Sequence, residues 1–120
     1  MDDSVVRGTT SRRIVDMIKK AGAKEVHLRV ASPPIIGPCY LGIDMPTRAE
    51  LIATHKTIEG ICAAVNADTI GFLSIDGLVK AIGIDKNQLC LGCVSEVYPV
   101  DIPGEKCSRK QCRVEDFINE

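Results

Sequence analysis

Tryptophan is missing from this sequence, and Tyr40, Phe72, Tyr98 and Phe117 are its only aromatic residues. Proteins that hold single-stranded nucleic acid stack bases on aromatic rings inside a basic groove. Here fifteen Lys and Arg stand against sixteen Asp and Glu, a net charge of -1 with no long basic block, so a nucleic-acid partner is not expected. Long apolar runs are lacking too. Nothing approaches the roughly 18 to 20 consecutive apolar residues of a membrane helix, which excludes a membrane-spanning helix. The N-terminal Met1-Asp2-Asp3-Ser4 carries acid where a targeting peptide carries base, and no apolar segment follows it, which points to the cytoplasm. In that reducing compartment the six cysteines, at 39, 62, 90, 93, 107 and 112, are expected as thiols or metal ligands rather than as a disulfide framework.

What remains is 120 residues, 45% hydrophobic and 26% charged. A chain of this size can bury about two thirds of its unfolded surface as one small domain. Ile14, Val15, Met17, Ile18 and Ala21 recur at helical spacing after the hydroxyls of Thr9, Thr10 and Ser11, and Gly22 follows two lysines, so a helix is predicted there. Val26, Leu28 and Val30 alternate with His27 and Arg29, the period of a strand with one buried face. Pro33, Pro34, Gly37 and Pro38 then predict an ordered loop over residues 32–42 that carries Cys39. Thr47 and Glu50 have capping-box spacing ahead of a short helix. A second helix begins near Thr57 with Ile58, Ile61, Cys62 and Val65 on one side, where Cys62 reads as a small core residue. Residues 69–73 read as a strand, and residues 74–82 as a helix with Leu78, Val79 and Ile82 inward. Alternating helices and strands predict an α/β fold with parallel strands. From Asp85 the pattern fails, and the cysteine-rich remainder is expected to be irregular.

Asp2 and Asp3 precede a short apolar step and then Arg7-Gly8-Thr9-Thr10-Ser11 at the mouth of the first helix. Free amides, the positive end of the helix dipole, a glycine that permits close approach and three hydroxyls suit a phosphate. Two carboxylates suit ribose hydroxyls or a hydrated Mg²⁺. An acidic turn before a well-capped helix is the plainer reading of the same spacing. No Gly-Lys-Ser/Thr follows, so the loop is not of the Walker A kind.

The stretch from Asp2 through Ser4 and Arg7 to Ser11 resembles the phosphoribosylpyrophosphate loop of type I phosphoribosyltransferases, and in its Arg-Gly-Thr-Thr-Ser form that of the amidophosphoribosyltransferases. The resemblance continues through Ala21-Gly22-Ala23-Lys24-Glu25-Val26-His27, Ser32-Pro33-Pro34-Ile35 with Pro38-Cys39, Tyr40-Leu41-Gly42-Ile43-Asp44, Glu50-Leu51-Ile52-Ala53 and Ala67-Asp68-Thr69-Ile70-Gly71-Phe72-Leu73-Ser74, covering about residues 2–98. It implies a partial phosphoribosyltransferase-type, Rossmann-like parallel sheet over residues 1–84, followed by a cysteine-rich, metal- or cluster-binding tail over residues 85–120. It also implies the first committed step of purine synthesis. There phosphoribosylpyrophosphate and glutamine give 5-phosphoribosylamine, glutamate and pyrophosphate. Asp2 and Asp3 would take the Mg²⁺ and ribose role, with Ser4 beside them, and Arg7, Gly8, Thr9, Thr10 and Ser11 would hold the 5-phosphate. No general base is implied, because positioning and charge neutralisation at a developing ribosyl cation carry the chemistry.

Cys90-Leu91-Gly92-Cys93 has the two-residue spacer that lets two thiolates converge on one metal or cluster. The resemblance implies a structural [4Fe-4S] cluster on Cys39, Cys90 and Cys93. Its fourth ligand would be Cys107 or Cys112, or would come from another chain. Spacing alone also allows a zinc site on Cys90, Cys93, Cys107 and Cys112, which leaves Cys39 unexplained. His27 and His55 read as solvated surface residues. The glutaminase domain with its N-terminal cysteine, and the first part of the phosphoribosyltransferase domain, have no counterpart in these residues. The chain is therefore expected to resemble the C-terminal quarter of the enzyme and to need a companion polypeptide or a homo-oligomer for activity. The alternative is a non-catalytic metal-binding or interaction fragment that docks through an unpaired sheet edge.

Overall fold

The structure is a computed structural model and describes residues 1–43 and 47–103. Cys107 and Cys112, two candidate ligands, lie outside the described residues. The helices are α1 (Thr9–Lys20), α2 (Ile58–Ala64), α3 (Ile75–Ile82) and α4 (Gly92–Ser95), and the strands are β1 (His27–Val30) and β2 (Thr69–Phe72). Short 3₁₀ turns occupy Arg48–Glu50, Ile52–Thr54 and Lys86–Gln88.

The two strands are parallel, with His27 opposite Thr69 and Val30 opposite Phe72. On the other edge of β1, Asp2 makes a parallel bridge to Val30: its amide donates to the Arg29 carbonyl at 2.9 Å, and its carbonyl accepts from the Ala31 amide at 2.9 Å. This pins the acid pair to the sheet. The alternation read from the sequence is realised, since Val26, Leu28 and Val30 are buried while His27 and Arg29 are exposed. Leu28 and Val30 meet Val5, Ile52, Ile61 and Val65 in one core cluster, with Ile70 and Phe72 at its margin. Ile61 of α2 and Val65 at its C-cap lie four residues apart, hence on one side of the helix, which packs on β2. Cys62 sits beside them half-buried, its thiol donating to the Ala67 carbonyl at 3.2 Å.

One expectation about burial needs correction. Leu78 and Val79 of α3 are half-buried, and Ile82 is 45% exposed rather than inward. On α1 only Ser11 and Val15 are buried, whereas Met17 is 64% exposed. The reason is width. Three strand positions spaced about 4.8 Å apart make a sheet about 10 Å across, close to the diameter of one helix, so a face has room for about one. The C-terminal half of α1 is tied down by polar contacts instead. Lys19 pairs with Asp68 at 3.2 Å, and Asn66 donates to Asp16 at 2.7 Å. The Val26 amide and then the Lys19 ammonium hold the Asp68 carboxyl below its ordinary range.

The stretch expected to be irregular contains α4, which docks onto the proline loop. The Cys93 carbonyl accepts from the Ile36 and Gly37 amides, each at 2.9 Å. The Tyr98 hydroxyl donates to the Pro38 carbonyl at 2.7 Å, and its ring meets Tyr40 edge-on with centroids 5.2 Å apart.

Candidate functional site

A cleft of about 430 Å³ opens where the N-terminal segment meets α1, lined by Asp2, Asp3, Ser4, Val6 and residues 7–11. All eight residues that the sequence marked for the sugar-phosphate role surround it. Gly8 makes this shape possible. It caps α1 at φ 79°, a left-handed conformation, and a Cβ there would stand 2.9 Å from the Ile52 Cδ1 atom. The chain therefore turns sharply and presses against the core cluster. No side chain caps α1, and its first turn holds no acid, so the first-turn amides face the cleft without a carboxylate of their own helix in competition.

The acids line the same cleft. Asp2 accepts from the Asp3 amide at 3.0 Å and from the Ser11 hydroxyl at 2.8 Å, while Asp3 accepts from the Ser4 amide at 2.8 Å. Ser11 is 4% exposed, and its hydroxyl is committed to an acid rather than offered to a phosphate as the sequence suggested. It braces Asp2 against the helix. Thr9 and Thr10 are exposed at the cleft rim. Arg7, also exposed, donates to Glu50 at 3.1 Å.

Glu50 is the residue the sequence reading passed over, having used it only as a cap. The capping box is formed: Glu50 accepts from the Thr47 amide at 3.2 Å and the Thr47 hydroxyl at 3.3 Å. Partial desolvation pushes its carboxyl up, but the Arg7 charge and the Thr47 hydrogen bonds outweigh this and leave it below the ordinary value. Capping-box spacing with an arginine near a helix mouth was the available signal. Only the fold brings positions 43 residues apart together.

A second constellation forms where α4 meets the proline loop. Burial pushes the Cys93 thiol up, and the charges of neighbouring Cys39 and Cys90 push it further. Cys39 is lowered by the amides of Ile43 and Leu41, with Ile43 N at 3.4 Å from its sulfur. Gly92 is required by the packing, since a Cβ there would lie 2.3 Å from the Tyr98 ring. Three of the candidate cluster ligands therefore lie on or next to two docked segments, Cys39 on the proline loop and Cys90 and Cys93 at α4. Among the described residues no group of three or more His, Cys, Asp or Glu side chains is gathered closely enough to hold a single metal ion. The turn Arg48–Glu50 stands between the two constellations, with Glu50 on Arg7 and Arg48 paired with Glu96 just beyond α4. His27 is exposed and bonded to Thr69 at 3.0 Å, and His55 is exposed beside Thr54.

No family model matches the chain. Individual proteins do. An amidophosphoribosyltransferase of Methanocaldococcus jannaschii is 61% identical over 106 residues, which cover 88% of this chain and 22% of the relative. Its counterpart in Bacillus subtilis is 52% identical over 85% of this chain and 22% of its own length. Among solved structures, a glutamine phosphoribosylpyrophosphate amidotransferase from B. subtilis, complexed with ADP and GMP, superposes with a TM-score of 0.79 at 50% identity. That match covers 88% of this chain and 24% of the other, so the chain spans about a fifth to a quarter of the length of the relatives it matches.

Proposed function

We propose that the chain, 61% identical to an amidophosphoribosyltransferase over 106 residues, forms part of the phosphoribosylpyrophosphate site of such an enzyme. The observation that carries this reading is one cleft lined by both the acid pair and the first-turn residues of a helix that no side chain caps. Sugar 5-phosphate and ribose hydroxyls are the two ends of one substrate, and the cleft offers each a matching partner. The amides of residues 9–11 and the Arg7 guanidinium receive the phosphate dianion. Asp2 and Asp3 accept from the ribose hydroxyls, with Asp2 held in register by Ser11 and by its bridge to β1.

The acid pair also fits Mg²⁺ in kind. Both carboxylates keep lone pairs beyond the hydrogen bonds they accept, and hard oxygen donors suit that ion. Asp2 and Asp3 would hold Mg²⁺, which supplies positive charge to the pyrophosphate as it leaves. In the overall transfer the C1–O bond to pyrophosphate breaks, ammonia nitrogen bonds to C1, and one proton is lost to solvent. The loop fixes the phosphate and ribose so that C1 develops its positive charge in one place, a contribution of orientation rather than of acid-base chemistry.

Cys39, Cys90 and Cys93 would hold a structural [4Fe-4S] cluster, with Cys107, Cys112 or another chain completing it. Cys39 follows the loop residues Ile36 and Gly37 whose amides donate to the Cys93 carbonyl, which supports this over a Cys90, Cys93, Cys107, Cys112 zinc site, which makes no use of Cys39. Cluster ligands also bind different irons, so they need not converge as the ligands of one ion must. Iron, sulfide and zinc analysis decides: stoichiometric zinc without iron or sulfide defeats the cluster. The reading places the protein in the cytoplasm, where thiols stay reduced. No helix among the described residues is long and apolar enough to cross a membrane.

Activity is proposed to require a companion polypeptide or a homo-oligomer that brings the remaining domains. Mixed with such a companion, the chain should support Mg²⁺-dependent release of pyrophosphate from phosphoribosylpyrophosphate in the presence of ammonia. Release that continues unchanged when the chain is omitted or carries Asp3→Asn contradicts the proposal.

A further inference from the structure

Arg7 is shared between two clefts. With Gly8 and Thr9 it lines the sugar-phosphate cleft, and it also lines a second one of about 410 Å³, together with Arg12, Glu50, His55 and Lys56. The guanidinium is turned toward the second cleft, where it donates to Glu50. Glu50 does not depend on Arg7 for its own position. The Thr47 amide and hydroxyl fix one carboxylate oxygen, Oε2, leaving Oε1 for the arginine.

We infer that Glu50 is a positioning residue that competes with the incoming phosphoryl group for the Arg7 guanidinium, and so sets how tightly the loop grips its substrate. This rests on the sugar-phosphate reading of the cleft given above. A carboxylate and a phosphate dianion both suit the planar fork of arginine, and they repel one another. Whatever Arg7 gives to Glu50 is withheld from the phosphate, and a phosphate that captures Arg7 must break a pair already made. The grip is thereby moderated, which favours turnover over retention of a phosphorylated ligand. The pair is exposed on both sides, with side chains 57% and 47% accessible, so its weight is that of a surface ion pair.

Glu50→Gln separates the competing charge from the cap, because the glutamine carbonyl still accepts from the Thr47 amide. Titration of the full chain with ribose 5-phosphate, followed by calorimetry, reads the effect. The variant should bind about two- to fivefold more tightly than the unaltered chain. In an Arg7→Ala background, Glu50→Gln should give no gain. Thr47→Ala, which breaks the cap and keeps the charge, should not tighten binding either. A structural lesion loosens binding, so the gain is not a signature that misfolding can imitate. Unchanged or weaker binding by Glu50→Gln, in a chain where Arg7→Ala weakens binding, overturns the inference while leaving the sugar-phosphate reading intact. No binding by any of these chains removes that reading and this inference with it.

Discussion

Gly8 stands at φ 79° with its α-hydrogens against Ile52, so an L side chain meets both a disfavoured backbone region and a neighbour 2.9 Å from its Cβ. Gly8→Ala should therefore cost about 1 to 2 kcal/mol, the usual penalty of left-handed backbone, read as a lowered midpoint in denaturant unfolding. Ile52 presents a flexible terminal methyl, so the backbone contributes more of this than the clash. Ser11 is a different case. Its hydroxyl was read from the sequence as a phosphate donor, and the structure turns it inward onto Asp2. Ser11→Ala should cost about 1.5 to 3 kcal/mol, the range for a hydrogen bond to a charged group, and should loosen Mg²⁺-dependent binding more than binding measured without the ion. Local spacing showed which residues gather at the helix mouth. It could not show which hydroxyl faces the ligand, because that depends on where β1 carries Asp2.

Helices and strands were legible wherever one face is buried and the other wet. The alternation of Val26, Leu28 and Val30 and the spacing of Ile61 and Val65 follow directly from packing two sides of one small sheet. The same periodicity misled at α3, where Leu78, Val79 and Ile82 repeat as a core stripe would but gain only partial cover. Periodicity reports that a face is apolar, not that a surface lies opposite to bury it. Unfolding measurements should separate the two helices: Ile61→Ala, at a site 1% exposed, should cost about 2 to 5 kcal/mol. Ile82→Ala, 45% exposed, should stay within about 0.5 kcal/mol. The proline loop and α4 were legible as separate pieces only. Their docking depends on Gly92 leaving room for Tyr98, a contact that no periodicity encodes. Gly92→Ala should displace the Tyr98 ring and loosen the docking of α4 on the proline loop, read as a lowered midpoint in denaturant unfolding.

Over the whole molecule, long-range polar ties hold segments that the small core does not reach. Asp68 is one, joining α1 to the start of β1. Its carboxyl is lowered by the Val26 amide and by Lys19, so its contribution to stability is fully present above the unfolded carboxyl value of about 3.9 and is lost as pH falls through the folded one. The stability difference between the unaltered chain and Asp68→Asn, followed by circular dichroism, should accordingly shrink as pH drops below about 4. A difference that grows on acidification would mean that Asp68 acts otherwise. The central claim concerns the cleft itself, in which an acid pair fixed to the sheet and amides at a helix mouth grip the two ends of one sugar phosphate. Calorimetric titration of the full chain with phosphoribosylpyrophosphate, with and without Mg²⁺ and repeated on Asp3→Asn, tests it most directly. The account predicts one-to-one binding that strengthens with Mg²⁺ and loses that strengthening in the variant. Binding indifferent to both the ion and Asp3, or absent altogether, contradicts it.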